Sequence, residues 1–161
     1  MSEPTQPPPH IDPQWRPAGP SGPRAGFWRR LAAFLLDLLV VGVAGLVVVI
    51  VIALIDESLR ELGYAFWFVA FISYSIYFIG SPSGQTVGKR ALRIRVIDFG
   101  TGGPIGYGRA AIRYVGSLIS GWICYLGYVW MLWDREKQTW ADKMANSVVV
   151  PVEYYPVEQW P

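Results

Sequence analysis

Residues 31–55 read LAAFLLDLLVVGVAGLVVVIVIALI, an unbroken apolar run whose only charge is Asp37. At 1.5 Å of rise per residue such a run crosses a hydrocarbon core of ~30 Å with some tilt, so it decides the fold class as a membrane protein. Working outward, Arg29 and Arg30 stand just before it, and the segment Asp56-Glu57-Ser58-Leu59-Arg60-Glu61-Leu62-Gly63 that follows is mainly acidic. That Lys/Arg bias predicts a cytoplasmic amino terminus.

Residues 64–79 form a second apolar run, rich in aromatics, which is expected to return the chain. The stretch 80–111 then carries Lys89, Arg90, Arg93, Arg95 and Arg109 against Asp98 alone, the pattern of a cytoplasmic loop beside anionic lipid. Within it, residues 92–96 alternate apolar and basic before the turn Thr101-Gly102-Gly103-Pro104, which predicts a short strand with one basic and one apolar face. Residues 147–150 give a second strand candidate, expected to pair with the first on the membrane surface because a lone strand is not stable.

A third apolar segment, 112–133, is interrupted by Gly116, Gly121 and Gly127. A single crossing would carry the carboxyl end to the far side, whereas a re-entrant hairpin bent near Ser120-Gly121 would keep the two strands together. The single crossing is the preferred expectation. Ser117 to Gly121 also holds a small-residue pattern suited to helix packing or self-association.

Composition narrows the function. Of 161 residues, 52% are hydrophobic and 16% charged, below the ~25% usual for soluble domains. A net charge of +2 gives no reason to expect a nucleic-acid partner. His10 is the only histidine and Cys124 the only cysteine, which leaves no thiolate metal cluster, no internal disulfide and no histidine for a nucleophilic triad. No metal, no cofactor and no enzymatic activity are expected. Gly84 to Arg90 is one residue short of a phosphate loop and has Arg90 where Ser or Thr would hold magnesium, while Gly106 to Ala111 lacks the surrounding βαβ unit of a dinucleotide fold.

The expected architecture is an all-α membrane protein with about three hydrophobic helices and a small cytoplasmic β element. A disordered Pro-rich tail over 1–26, holding eight prolines, precedes a membrane domain over 27–150 and a carboxyl-terminal tail over 151–161. The front end lacks a short apolar region with a cleavage site, so its removal is not expected.

Asp37 is the sharpest feature, since a charge at the centre of a spanning helix costs ~2.5–3.5 kcal/mol and usually faces a partner or a wet cavity. Arg30 lies two turns earlier on the same face and is its expected counter-charge. Asp37 then either carries a cation or proton, or serves as a fixed clamp held by Arg30 or a loop arginine. Asp142, in Thr139-Trp140-Ala141-Asp142-Lys143, reads on residue type alone as a capping or solvated carboxylate.

The order of these pieces is informative. Arg30 near a helix start, Asp37 within it, Gly84-Gln85-Thr86-Val87-Gly88-Lys89-Arg90-Ala91-Leu92-Arg93-Ile94-Arg95-Val96 after the second run, and Asp142-Lys143 before Ser147-Val148-Val149-Val150 together resemble the RDD family of small membrane proteins. The resemblance covers 26–150 and implies Arg30, Asp37 and Asp142 as the signature arginine and two aspartates. Many members carry a histidine before the second aspartate, where this chain has Ala141. Transport of an unidentified ligand has been proposed for the family.

Two functions follow as expectations. The first is cation- or proton-coupled transport, by a homo-oligomer or with a membrane protein partner, because three helices enclose little volume. The second is a membrane-anchored adaptor that recruits proteins or anionic lipid through the Pro-rich tail and the basic loop of Lys89, Arg90, Arg93 and Arg95.

Overall fold

The computed structural model describes residues 22–123 and 125–157. Most of the expected Pro-rich tail, and Cys124 with its expected lack of a disulfide partner, lie outside the described residues. Two long helices come first: α1 (Phe27–Ile55) and α2 (Arg60–Gly80), joined by a single 3-10 turn over Glu57–Leu59 that Asp56 caps through Ser58 N–H. Both are long and apolar enough to cross a membrane. Leu39, Leu46 and Leu54 of α1 and Phe66 of α2 are exposed, as lipid-facing side chains would be. The pair packs where side chains are absent. Gly45 lies under the Trp67 ring, Gly63 faces the Val49 backbone, and Trp67 Nε1 donates to the Val41 carbonyl at 3.2 Å.

Next come a five-residue helix α3 (Val87–Ala91) and strand β1 (Ile94–Asp98). After a turn, α4 (Gly106–Trp122) leads to α5 (Leu126–Val129) and a 3-10 turn over Trp130–Leu132, then α6 (Trp140–Met144) and β2 (Ser147–Pro151). β1 and β2 form an antiparallel ladder centred on Val96 opposite Val149.

Three expectations need correction. The first strand begins at Ile94 rather than Leu92, because Leu92 closes α3 and Arg93 takes a left-handed φ of 51°. All five β1 residues are buried, so the strand has no exposed basic face. One side packs Ile94 and Val96 on Ala33 and Ala110, and the other packs Ile97 and Val150 under Tyr155. Finally, the third apolar segment is not a straight crossing. It breaks at Tyr125, with φ of 59°, and its two parts are bent by 110°. Gly127 folds back onto Ser120, so the segment both leaves from and returns to the sheet. Contacts also tie both flanking segments to the rest: Arg24 pairs with Glu136, Ala25 N–H donates to the Val149 carbonyl, and Val152 N–H donates to the Arg93 carbonyl.

The chain is built from two related units. The shift that carries Gln85 onto Gln138 carries Thr86 onto Thr139, α3 onto α6 and β1 onto β2. The caps match: Thr86 has φ −76° and ψ 169°, and Thr139 has φ −77° and ψ 169°. Gln85 Nε2 donates to Ile94 O at 2.9 Å and Gln138 Nε2 to Ser147 O at 2.8 Å. Arg93 and Asn146 share the left-handed turn into the strand. Even the preceding helices correspond, since Arg29 donates to the carbonyl ending α3 and Arg109 to the one ending α6. Val96 and Val149 are equivalent residues and face each other, so the approximate two-fold axis of the units passes through the centre of the ladder.

The α1–α3 contact depends on a missing side chain. A methyl group at Gly88 would collide with the Ala33 carbonyl and lie 2.9 Å from the Asp37 carboxyl carbon. Gly88→Ala is therefore expected to lower stability by about 1–3 kcal/mol, the range for overpacking. Gly42→Ala, with nothing within 4 Å of the added atom, should leave it unchanged. Thermal unfolding of the two purified variants in detergent makes the comparison.

Candidate functional site

The two short helices supply the site. In α6, Thr139 Oγ1 accepts from Asp142 N–H at 3.1 Å while Asp142 Oδ2 accepts from Thr139 N–H at 3.0 Å, a reciprocal capping box. This fixes the Asp142 carboxylate at 0% exposure. It is then free to receive two arginines: Arg30 Nη1 of α1 bonds Oδ2 at 2.6 Å, and Arg113 Nη1 of α4 bonds Oδ1. Arg30 also donates to the carbonyls of Ala25 and Lys137, and Arg113 donates to Ser147 Oγ at 2.8 Å.

Around α3 the arrangement differs. Thr86 caps the helix, but the carboxylate at its N-terminus comes from α1. Asp37 Oδ1 accepts from Gly88 N–H at 2.7 Å and from the Tyr74 hydroxyl at 2.9 Å, and Oδ2 accepts from Thr86 Oγ1 at 2.5 Å. Its hydrogen-bond donors are neutral, and it is 5% exposed. The expected pairing of Arg30 with Asp37 is thus corrected: the 1.5 Å rise keeps them on one face, but the Arg30 guanidinium reaches across to Asp142 instead.

A cavity of about 140 Å³ lies between these groups, with Arg30, Asp37, Lys89, Arg113, Ser75 and Tyr128 among its lining residues. It straddles the two units, Thr86 lining one part and Thr139 the other. Lys89, read from sequence as part of a surface basic loop, faces inward here. Burial lowers its ammonium to about 8; Asp37 opposes that shift, while Arg113 and Arg30 add to it. Arg95 is buried too, donating to the carbonyls of Pro156 and Pro82, and only Arg90 and Arg93 of the four are exposed.

Sequence reasoning brought Arg30, Asp37 and Asp142 forward, and the structure gathers all three at this cavity or directly beneath it. It missed Arg113, Thr86 and Tyr74. Arg113 carried a signal of the Asp37 kind, being the sole charge in the 112–133 segment. The doubled Gln-Thr was the trace of the repeat. Among the described residues no three carboxylate, thiol or imidazole groups gather as a metal site.

In comparison with known families, the profile of the RDD family matches residues 24–146. The chain belongs to the RDD family. Over 93 residues it is 32% identical to the Proline-rich antigen of Mycobacterium leprae (strain TN), covering 55% of this chain and 37% of that protein. Over 84 residues it is 33% identical to the Proline-rich antigen homolog of Mycobacterium tuberculosis (strain ATCC 25618 / H37Rv), covering 52% of this chain and 35% of that protein. The chain therefore spans little more than a third of these relatives. No solved structure matches it. Family and apolar helices together make this a membrane protein.

Removing the charge of Asp142 would leave two largely buried guanidiniums without a carboxylate. Asp142→Asn is expected to cost about 3–5 kcal/mol, the range for breaking a buried pair. Asp37→Asn, which loses hydrogen bonds to neutral donors, should cost about 1–3 kcal/mol. Thermal midpoints and folded yields of the two variants measure the difference.

Proposed function

We propose that this RDD protein mediates proton-coupled transport of a small charged ligand, with the cavity between its two units as the binding site. The observation that supports this reading is the inward turn of the charges. Arg30, Asp37, Lys89 and Arg113 line one cavity, and the carboxylate of Asp142 holds two of them from beneath. An adaptor displaying its basic loop would have no use for such burial. In transporters built from repeats, ligand sites characteristically lie at the repeat interface.

The roles follow from the bonding. Asp142 is a clamp, and Asp37 organises α3 through fixed bonds, so neither oxygen pair is free to take up a cation alone. Lys89 is the group poised to gain and lose a proton. Those facing it are Asp37 and Arg30 from α1, Tyr74 from α2, Arg113 and Tyr114 from α4, and Tyr128 from α5. The membrane is the cell membrane, with the sheet and the start of α1 on the cytoplasmic side as the Lys/Arg bias expects. Self-association would complete a path that so few helices cannot enclose.

The test uses purified protein in liposomes holding a pH-sensitive dye, with sodium, potassium and phosphate gradients imposed in turn. Gradient-driven proton movement is expected in wild type and is expected to be lost in Lys89→Gln at equal folded protein content. Wild-type vesicles that match empty ones under all three gradients would overturn transport and favour the adaptor.

A further inference from the structure

The charges at the cavity do not balance. Three cations, Arg30, Arg113 and Lys89, meet two carboxylates, Asp37 and Asp142. Both carboxylates already have both oxygens engaged by donors of the protein. Several donors have no acceptor. Among the described residues, Lys89 Nζ, Ser75 Oγ and the Tyr128 hydroxyl make no hydrogen bond, and Arg113 uses only Nη1, leaving Nε and Nη2. A space lined by spare donors, with an excess positive charge and no free carboxylate, is complementary to an anion with several oxygens.

We infer that this cavity binds the phosphate group of an anionic ligand, held by Lys89 and Arg113 with Ser75 and Tyr128 as neutral donors. The inference rests on the reading of the cavity as a ligand site and names the class of its ligand. Protonated Lys89 is the form that attracts the anion, so binding should weaken as pH rises through about 8, where the ammonium loses its proton.

The phosphate has two sources, and the fold explains why both are open. Across the sheet, α2 closes on α4: Gly80 packs against the Tyr107 backbone, and Tyr77 stacks on Tyr107 at 6.2 Å. The corresponding seam between α1 and the short bent α5 is left as an apolar slot of about 330 Å³, lined by Phe27, Leu31, Val129 and Met131. Arg30, Phe34 and Tyr128 line both the slot and the charged cavity. A phospholipid could lay a chain in the slot with its phosphate at the cavity, whereas free phosphate would leave the slot empty.

Full-length protein in neutral phosphatidylcholine nanodiscs would be titrated with inorganic phosphate by calorimetry. Phosphatidylglycerol binding to detergent-purified protein would be followed by native mass spectrometry. Saturable binding of either probe is expected, weakened about tenfold in Lys89→Gln, the scale of one lost charge-assisted hydrogen bond. In that variant the decline of affinity near pH 8 should also vanish. Val129→Trp, which fills the slot, should abolish lipid binding and spare inorganic phosphate. Loss of lipid binding in that variant identifies a lipid source, while binding of inorganic phosphate alone identifies a free anion. Absence of binding by both probes, or affinity indifferent to Lys89→Gln, would overturn the inference. Sodium-driven or potassium-driven proton flux persisting beside such a failure would leave the transport reading standing.

Discussion

The carboxylate of Asp142 ties three separate elements of the protein together at one point. Its oxygens receive Arg30 from α1 and Arg113 from α4, while the same group closes the capping box that starts α6. A buried carboxylate with two guanidiniums is stable only when its remaining lone pairs are also satisfied, and the Thr139 backbone does that. Because α6 leads directly into β2, holding Asp142 also holds the second strand against the first. The first helix, the fourth helix and the sheet are therefore parts of one electrostatic joint.

Two copies of one local design share the work unequally. Each unit has a Thr-capped five-residue helix, a left-handed residue and a strand, and the ladder sits on their common axis. At the equivalent position in the two short helices, one copy carries Lys89, which lines the cavity, and the other Asp142, which is buried against Arg30 and Arg113. The helices that precede the short ones diverge further. α1 and α2 form a full hairpin, whereas the second hairpin is cut short by the bend at Tyr125. That asymmetry opens the slot beside α1.

Placing five charges at the entrance of membrane-crossing helices is energetically expensive, and the structure offsets this by a division of labour. Asp37 is met by Thr86, Gly88 and Tyr74, donors that satisfy its oxygens without adding charge. The arginines are met by Asp142 and by backbone carbonyls. Lys89 alone is left with an uncommitted ammonium. Burial lowers the proton affinity of that ammonium, and Asp37 opposes the shift.

Much of this could be read from the chain alone. The run from Leu31 to Ile55 pointed to a spanning helix, because a single apolar segment of that length satisfies its own backbone in lipid only as a helix. The order of Arg30, Asp37 and Asp142 pointed to the family, and alternation near Arg95 pointed to a strand. Pairwise partnership was beyond reach, since Arg30 lies two turns from Asp37 in sequence yet bonds a carboxylate 112 residues away. Burial was equally hidden: Lys89 and Arg95 look like a solvated basic loop until the α1 helix and the carboxyl-terminal segment are laid over them. Helical rise and hydropathy are local properties that residue order determines. Which charge meets which, and which side of a strand is covered, depends on contacts between distant segments, and only the tertiary structure decided them.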